Sequence, residues 1–233
     1  MQSQLGASPT VQVSLDLTTI DEALAVAEVA VGAGVDWLEA GTPLILAEGV
    51  RAVRALKDRF PDHPIVADLK IMDGGALETD LAAEAGASFV VVMSGATDAT
   101  VRVTVDAAAK AGIKVMGDVL GCDDYAAEAA RMEELGVDAV LAHLGFDERG
   151  ENPSLSVFDF LADVVGGTSL PVQAVGGIGL ADLSKLPGLG APLVVVGAPL
   201  VISKEAFAPA VGLDELATIL SEVVTAIKGR QDG

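Results

Sequence analysis

The sequence predicts an α/β protein with a closed (β/α)8 barrel, in which eight parallel strands alternate with helices. Short apolar runs rich in β-branched residues alternate with alanine-rich, charged stretches from one end of the chain to the other. The runs are apolar at successive positions, as in strands that are buried on both faces of a parallel sheet. The length of 233 residues is close to the roughly 250 residues that are typical of such barrels.

An open, doubly wound sheet is the alternative for a chain that alternates strands and helices. It usually contains fewer strands, and its dinucleotide-binding forms carry a Gly-x-Gly-x-x-Gly turn after the first strand. No such turn follows the first apolar run here. No linker or low-complexity segment divides the chain, so we expect residues 1–233 to form a single barrel domain.

Eight apolar runs give the predicted strands. They cover residues 11–17, 37–40, 65–69, 89–93, 114–119, 139–143, 172–175 and 193–196. Amphipathic patterns between these runs predict the helices, and several helices stop at a glycine, such as Gly34 and Gly112, that restarts a strand. Glycine there supplies the left-handed residue that ends a helix and opens a short loop.

Composition excludes several classes of protein. Hydrophobic residues make up 51% of the chain and charged residues 21%, which excludes a disordered chain. The 14 basic and 34 acidic residues give a formal net charge of −20, and aromatic residues are only 3%. Because so acidic a surface repels phosphate backbones and offers few rings for base stacking, we expect no nucleic-acid partner.

The sequence also predicts a cytoplasmic protein without a membrane partner. No basic segment followed by an apolar stretch opens the chain, as a secretory signal would. The longest uncharged run, residues 186–203, contains Pro187, Pro192 and Pro199, so we expect a loop, a buried strand and a loop rather than a spanning helix. The single cysteine, Cys122, excludes a disulfide framework and fits a reducing compartment.

Titratable side chains stand at the carboxyl ends of five predicted strands, where the active site of such a barrel lies. They are Asp16, Glu39, Asp68 with Lys70, Asp118 and His143. Charged groups on apolar strands are costly unless they are paired or bind a metal. We therefore expect these side chains to form one catalytic or substrate-binding site.

The most specific segment is Asp68-Leu-Lys-Ile-Met-Asp73. Strand alternation predicts that Asp68 and Lys70 face the barrel interior, whereas Asp73 falls in the following loop. Such an array holds one ammonium between carboxylates, and Asp68 with Glu39 can supply oxygens to Mg²⁺. The alternative interpretation is a purely structural ion pair at the barrel mouth.

His143 is the candidate for proton transfer because the pKa of imidazole lies near neutrality. The alternative is a buried histidine that is satisfied by a backbone carbonyl. The other histidine, His63, is expected on the surface. Cys122 precedes Asp123 and Asp124, and because these acids disfavour a thiolate we do not expect a nucleophile.

Small residues close the last two strands, at Gly176-Gly177 and Gly197-Ala198. Loops after strands seven and eight commonly bind phosphate through backbone N–H groups in these barrels. One glycine pair is often only a turn, but two such turns in neighbouring loops favour a phosphorylated substrate. Local amides and a metal can supply the positive potential that so acidic a chain otherwise lacks.

These motifs resemble the 3-hexulose-6-phosphate synthase and 3-keto-L-gulonate-6-phosphate decarboxylase family of the orotidine monophosphate decarboxylase suprafamily. The similarity runs over nearly the whole chain. It includes Leu15-Asp-Leu17, Glu39-Ala-Gly-Thr-Pro43, Glu48-Gly-Val-Arg-Ala-Val53, Asp68-x-Lys70-x-x-Asp73, His143-Leu-Gly-Phe-Asp147, Asn152-Pro153, Gly176-Gly-Ile178 and Val196-Gly197. The stretch that begins at Glu39 and the block from Asp68 to Asp73 are specific to the group, whereas the glycine turns are not.

The resemblance implies a Mg²⁺-stabilised 1,2-enediolate on a sugar phosphate. By that analogy Glu39 and Asp68 bind the metal, and Lys70 lies near the reacting oxygens. Asp73 reaches across the interface of a homodimer into the partner's site, and His143 is the acid/base. The resemblance therefore predicts a homodimer with shared active sites.

Within the family the synthase is favoured over the decarboxylase. Decarboxylases carry an arginine three residues after the histidine, and this position is Phe146. The synthase reaction adds formaldehyde to D-ribulose 5-phosphate, so a phosphorylated ketose and a small aldehyde are the expected substrates. The decarboxylase and a non-enzymatic binding barrel remain the alternatives.

Some residues depart from the synthase pattern. They are Leu144, Gly117, the segment 203–209, and Ala198-Pro199, where the synthases usually carry Gly-Gly. Because proline lacks an N–H group, the departure at Pro199 removes one donor that could face a phosphate. These departures bear on the identity of the sugar phosphate rather than on the enediolate chemistry.

Overall fold

Eight parallel strands close into a barrel in the computed structural model, which describes residues 5–198 and 212–229. The strands are β1 (Thr10–Leu15), β2 (Trp37–Ala40), β3 (Ile65–Ile71), β4 (Phe89–Met93), β5 (Lys114–Asp118), β6 (Ala139–His143), β7 (Val172–Val175) and β8 (Leu193–Ala198). Each strand pairs with its neighbours in chain order, and β8 returns to β1. The predicted barrel and all eight predicted strands are confirmed, with bounds that differ by two residues or fewer.

Helices follow the strands on the outside of the barrel. They are α1 (Ile20–Gly32), α2 (Thr42–Glu48), α3 (Arg51–Arg59), α4 (Gly75–Glu84), α5 (Asp98–Ala111), α6 (Tyr125–Glu134), α7 (Phe146–Glu151), α8 (Leu161–Gly167), α9 (Leu180–Leu183) and α10 (Leu213–Lys228). The glycines predicted to end α1 and α5, Gly34 and Gly112, have φ angles of 88° and 75°. This left-handed backbone is the conformation that the predicted helix ends require. None of the helices in the described ranges is long and apolar enough to cross a membrane.

The core has two layers, one between the sheet and the helices and one inside the barrel. The inner layer consists of Trp37, Val66, Phe89, Val91, Met116, Ala139, Leu141 and Leu193. Trp37 and Phe89 begin their strands, and their rings pack with centroids 4.6 Å apart. This apolar plug lies toward the amino ends of the strands, and the charged groups of the interior lie toward the carboxyl ends.

Strand β3 departs from the simple alternation that the sequence predicted. Its pairing with β4 shifts register between Ala67 and Ile71, and Lys70 has a φ of 49°. It is the one non-glycine residue with positive φ in the described parts of the chain. The expectation that Asp68 and Lys70 share a side holds, but a β-bulge rather than the pleat brings them together.

Three features singled out from the sequence lie partly or wholly outside the described residues. The backbone of Ala198 ends β8, but its side chain is not described. Pro199 and the segment 203–209 lie outside the described residues.

Candidate active site

Three carboxylates and one ammonium meet above the apolar plug, at the carboxyl ends of β1, β2 and β3. Asp16 follows β1, Glu39 lies in β2, and Asp68 and Lys70 lie in the bulged end of β3. The parallel pairing of Ser14 with Glu39 and of Glu39 with Val66 holds the three strand ends at one level. Only 8% of Glu39 and 7% of Asp68 are exposed. The predicted acidic cluster is therefore present, and it is buried.

The side chain of Asp68 is held between two donors. Lys70 Nζ lies 2.6 Å from Asp68 Oδ2, and Thr42 Oγ1 lies 2.7 Å from the same oxygen. Thr42 begins α2 and also lies 3.0 Å from the carbonyl oxygen of Asp68. The second carboxylate oxygen, Oδ1, is buried without a hydrogen-bond partner among the described residues. That oxygen is available to a ligand.

Burial and neighbouring charge raise the pKa of two of these acids, Asp16 and Glu39. Burial, followed by the charge of Asp68, raises the pKa of Asp16 to about 6. Burial, then Asp68 and Asp16, raises the pKa of Glu39 well above its usual range. Burial alone would lower the pKa of Lys70, but Asp68, together with Asp118 and Glu39, outweighs burial and the pKa rises. The cluster therefore carries more negative charge than its single ammonium neutralises, and it favours an added cation.

A chain of amides fixes Glu39 from below. Gln12 Nε2 donates to Glu39 Oε2, and Gln173 Nε2 donates to Gln12 Oε1 at 3.2 Å. Both glutamines are only 1% exposed. Neither glutamine is among the site residues predicted from sequence, although an amide inside an apolar strand is the signal that marks them.

His143 and Asp118 form a hydrogen-bonded pair on the opposite side of the barrel mouth. His143 Nδ1 lies 2.7 Å from Asp118 Oδ2, and the N–H of Leu120 donates to Asp118 Oδ1 at 2.9 Å. Because a carboxylate only accepts, Nδ1 carries the shared hydrogen and Nε2 is available to exchange a proton. The partner of His143 is thus a buried carboxylate, not the backbone carbonyl of the alternative interpretation.

Asp118 had been predicted to bind substrate. The structure places it beneath His143 and fully buried. This position orients the imidazole through its Nδ1 hydrogen bond. Direct contact between Asp118 and a substrate stays a prediction.

The glycine turns lie at the same end of the barrel as the acids. Gly176 and Gly177 follow β7 with φ angles of 108° and 66°. No described residue accepts a hydrogen bond from either backbone N–H group. Gly197 in β8 pairs with Ser14 and is exposed, and a methyl group built on it would lie 3.8 Å from Asp16 Oδ2. The turns can therefore contact the same ligand as the acidic cluster.

Asp73 is the predicted site residue that the structure does not bring to the cluster. It lies exposed in the loop between β3 and α4. Its role in a partner's site stays a prediction. Gly41, by contrast, was quoted only within a motif, and a methyl group built there would lie 3.1 Å from Asp16 Cγ. Glycine at this position therefore makes room for the Asp16 carboxylate.

A divalent cation is compatible with the acidic cluster. The described residues contain no group of three or more His, Cys, Asp or Glu side chains arranged as a metal centre. Mg²⁺ commonly uses only one or two protein carboxylates and completes its shell with water and substrate oxygens. The unpartnered Asp68 Oδ1 and the crowded negative charge at Glu39 fit that mode of binding.

We predict that Asp16→Asn stabilises the protein above pH 7 by about 2 to 3 kcal/mol, the equivalent of the raised pKa. Between the ordinary pKa of aspartate, 3.8, and about 6, the folded state retains a proton that the unfolded state has lost. The cost of the Asp16 charge therefore appears as pH rises through this window and is absent below it. Urea unfolding of both proteins from pH 4 to 8 measures the difference.

Asp62→Asn is the matched control, because it removes one exposed carboxylate before β3, at the opposite end of the barrel. The stability gain of Asp16→Asn should grow between pH 4 and pH 7. A gain that stays constant over this range would contradict the burial of a charged Asp16 carboxylate.

Comparison with known proteins identifies the family of this chain. A sequence model described as "Orotidine 5'-phosphate decarboxylase / HUMPS family" matches residues 9–206. The 3-hexulose-6-phosphate synthase of Bacillus subtilis (strain 168) is 35% identical over 187 residues, which are 80% of this chain and 88% of that protein.

Solved structures show the same relationship. A crystal structure of 3-hexulose-6-phosphate synthase from Salmonella typhimurium superposes with a TM-score of 0.80 at 31% identity, covering 94% of this chain and 99% of that one. The 3-keto-L-gulonate-6-phosphate decarboxylase of Vibrio cholerae O1 biovar El Tor str. N16961 gives 0.74 at 26% identity, covering 95% and 99%. The resemblance stated from the motifs is confirmed: this chain belongs to the orotidine 5'-phosphate decarboxylase / HUMPS family.

Proposed function

We propose that this protein is a lyase of the 3-hexulose-6-phosphate synthase type, which joins formaldehyde to D-ribulose 5-phosphate and catalyses the reverse cleavage. The observation that carries the proposal is the arrangement at the barrel mouth. The Lys70–Asp68 pair and Glu39 lie at the carboxyl ends of β3 and β2. The His143–Asp118 pair lies on the opposite side of the mouth, at the ends of β6 and β5. A proton acceptor and a stabiliser of negative oxygen are the two groups that an enediolate requires.

His143 carries the proton transfer in this proposal. Its Nε2 takes the proton from C1 of the sugar phosphate, and the electron pair of that C–H bond forms the 1,2-enediolate. Asp118 accepts from Nδ1 and stabilises the resulting imidazolium. C1 then attacks the carbon of formaldehyde, and the new alkoxide takes up a proton from the imidazolium, which returns His143 to its neutral form.

Lys70 stabilises the negative charge that develops on the substrate oxygens. Its ammonium is held by Asp68, and its raised pKa keeps it charged. We propose that Glu39 and Asp68 hold Mg²⁺, which would add positive charge beside the same oxygens and lower the energy of the enediolate. The bulge that gives Lys70 its positive φ directs the ammonium toward the carboxylates.

The phosphate group of the substrate is assigned to the other side of the mouth. The N–H groups of Gly176 and Gly177, which no described residue accepts, supply donors there, and the exposed Gly197 leaves room in the neighbouring strand end. Amide donors bind an anion without adding a counter-charge, which suits a chain of net charge −20. The cytoplasmic location expected from the sequence stays a prediction.

The decarboxylase is the second candidate, because it shares the proposed acid/base and metal residues. Phe146 stands where the decarboxylases carry arginine, which favours the synthase. A barrel that only binds a ligand, without catalysis, is disfavoured. Crowded and buried acids that serve no catalytic function would only lower the stability of the folded protein.

We also propose a homodimer in which Asp73 reaches the partner's site. Leu77 and Leu81 are four residues apart on α4 and are 67% and 44% exposed, and Met72 in the preceding loop is 53% exposed. These side chains form an apolar surface, the α4 face, next to Asp73. Contiguous exposed apolar groups commonly mark a protein interface.

Formaldehyde consumption with D-ribulose 5-phosphate and Mg²⁺ tests the activity. We predict consumption that EDTA abolishes, and a loss of kcat of about a hundredfold or more in Lys70→Ala because a preorganised charge is removed. Lys110→Ala is the control, since it removes an exposed lysine near the end of α5. Circular dichroism verifies that each variant is folded. Full turnover in folded Lys70→Ala would overturn the assignment, and a folded wild type that consumes no formaldehyde would direct attention to keto-acid phosphates.

We predict that Leu77→Glu shifts the protein from dimer to monomer and lowers activity with it, because a charge is placed in the apolar α4 face. Sedimentation velocity measures the oligomeric state. Leu189→Glu, at a residue that is 49% exposed between α9 and β8, is the matched control and should remain dimeric. A wild-type monomer with full activity would contradict the shared site.

A further inference from the structure

Arg149 of α7 turns back over the glycine turn that follows β7. A methyl group built on Gly177 would lie 2.8 Å from Arg149 Cδ and 3.0 Å from Arg149 Cζ. The guanidinium also lies over the ring of Phe146, with Cζ 5.6 Å from the ring centroid. Glycine at 177 therefore leaves space that the arginine side chain occupies, and the cation is held against the loop.

The charge of Arg149 is not matched by an acidic partner. No carboxylate of the described residues lies within salt-bridge distance of it, although the chain has 34 acidic residues and 14 basic ones. Its Nε is buried without a hydrogen-bond partner in the described ranges, and burial lowers its pKa. A buried guanidinium nitrogen without an acceptor is costly, so its retention points to an anion that binds there.

Two buried side-chain polar atoms in the described parts of the chain lack a partner, and both lie at the barrel mouth. One is the carboxylate oxygen Asp68 Oδ1 and the other is Arg149 Nε. Asp68 belongs to the acidic cluster, where burial and the charges of neighbouring acids raise the pKa of Asp16 and of Glu39. Arg149 instead contacts Gly177, whose N–H group has no acceptor in the described residues. The unmatched carboxylate oxygen lies at the end of β3, and the unmatched guanidinium nitrogen lies in α7, which follows β6.

We propose that Arg149 binds the phosphate of the sugar phosphate, together with the N–H groups of Gly176 and Gly177. The inference rests on the proposed function, which supplies the phosphorylated ligand. A guanidinium presents parallel N–H donors that match two phosphate oxygens, and it keeps its charge at every pH at which the protein is folded. The ring of Phe146 packs against the guanidinium and restricts its orientation.

Two features of the sequence agree with a phosphate ligand at Arg149. Pro199 removes one backbone N–H group from the loop after β8. Phe146 replaces the decarboxylase arginine, and Arg149 stands one helical turn further along α7. The guanidinium of Arg149 therefore lies against the glycine turn at Gly177, and in this proposal it contacts the phosphate rather than the reacting carbon of the sugar.

Titration calorimetry with inorganic phosphate and with D-ribulose 5-phosphate, at constant ionic strength, tests the proposal. We expect Arg149→Gln to weaken the binding of both by about tenfold or more, the effect of losing one charge-assisted hydrogen bond. In turnover, KM for the sugar phosphate should rise by a similar factor while kcat changes less. Arg149→Lys, which keeps the charge without the planar fork, should fall between wild type and Arg149→Gln.

Arg59→Gln is the matched control, because Arg59 also stacks on a phenylalanine, with Cζ 5.4 Å from the ring centroid of Phe60. It ends α3 at the opposite end of the barrel and should leave phosphate binding unchanged. Equal phosphate affinity in wild type and Arg149→Gln, or an equal loss in Arg59→Gln, would overturn the proposal. If Arg149→Gln does not fold, the comparison of wild type with Arg149→Lys decides instead.

The outcome separates this inference from the proposed function. Formaldehyde consumption with an unchanged KM in Arg149→Gln would keep the synthase and reject Arg149 as a phosphate ligand. Phosphate binding that depends on Arg149, in a protein that consumes no formaldehyde, would keep the phosphate site and reject the synthase.

Discussion

The burial of three carboxylates around the single ammonium of Lys70 is the constraint on which the rest of the site depends. Burial, followed by the charge of Asp68, raises the pKa of Asp16 and of Glu39. The ammonium of Lys70 forms its ion pair with Asp68 and not with either of these two acids. Such a cluster is stable only where the surrounding fold holds the acids in place. The apolar plug below, the glutamine chain to Glu39 and the hydroxyl of Thr42 provide that support.

The excess of negative charge in this cluster also explains which ligands the site favours. A site that is short of positive charge favours a cation and a substrate whose oxygens bind that cation. Two features of the backbone complete it, since the bulge in β3 brings Lys70 to Asp68 and the buried Asp118 fixes the imidazole of His143. The barrel supplies these positions at one end because all eight strands point the same way.

Most of the fold could be predicted because the signals were local and repeated. Runs that are apolar on both faces, helix-ending glycines and charged strand ends each correspond to one structural feature. The sequence could not reveal the bulge at Lys70, because a register shift depends on neighbouring strands and not on the pleat of one strand. It also gave no role to Gln12 or Arg149, whose importance depends on burial and on which residues they contact across the barrel. The placement of Asp73 in a partner's site depends on a second chain and follows only from the family.

Proton exchange at C1 of D-ribulose 5-phosphate in D2O, without formaldehyde, tests the central claim most directly. An enediolate that forms before the aldehyde binds must exchange one C1 hydrogen for deuterium, which NMR detects. The account predicts Mg²⁺-dependent exchange by the wild-type protein and its loss in His143→Gln, whose side chain cannot accept the proton. Exchange that persists unchanged in His143→Gln, or product formation by a wild type that shows no exchange, would contradict it.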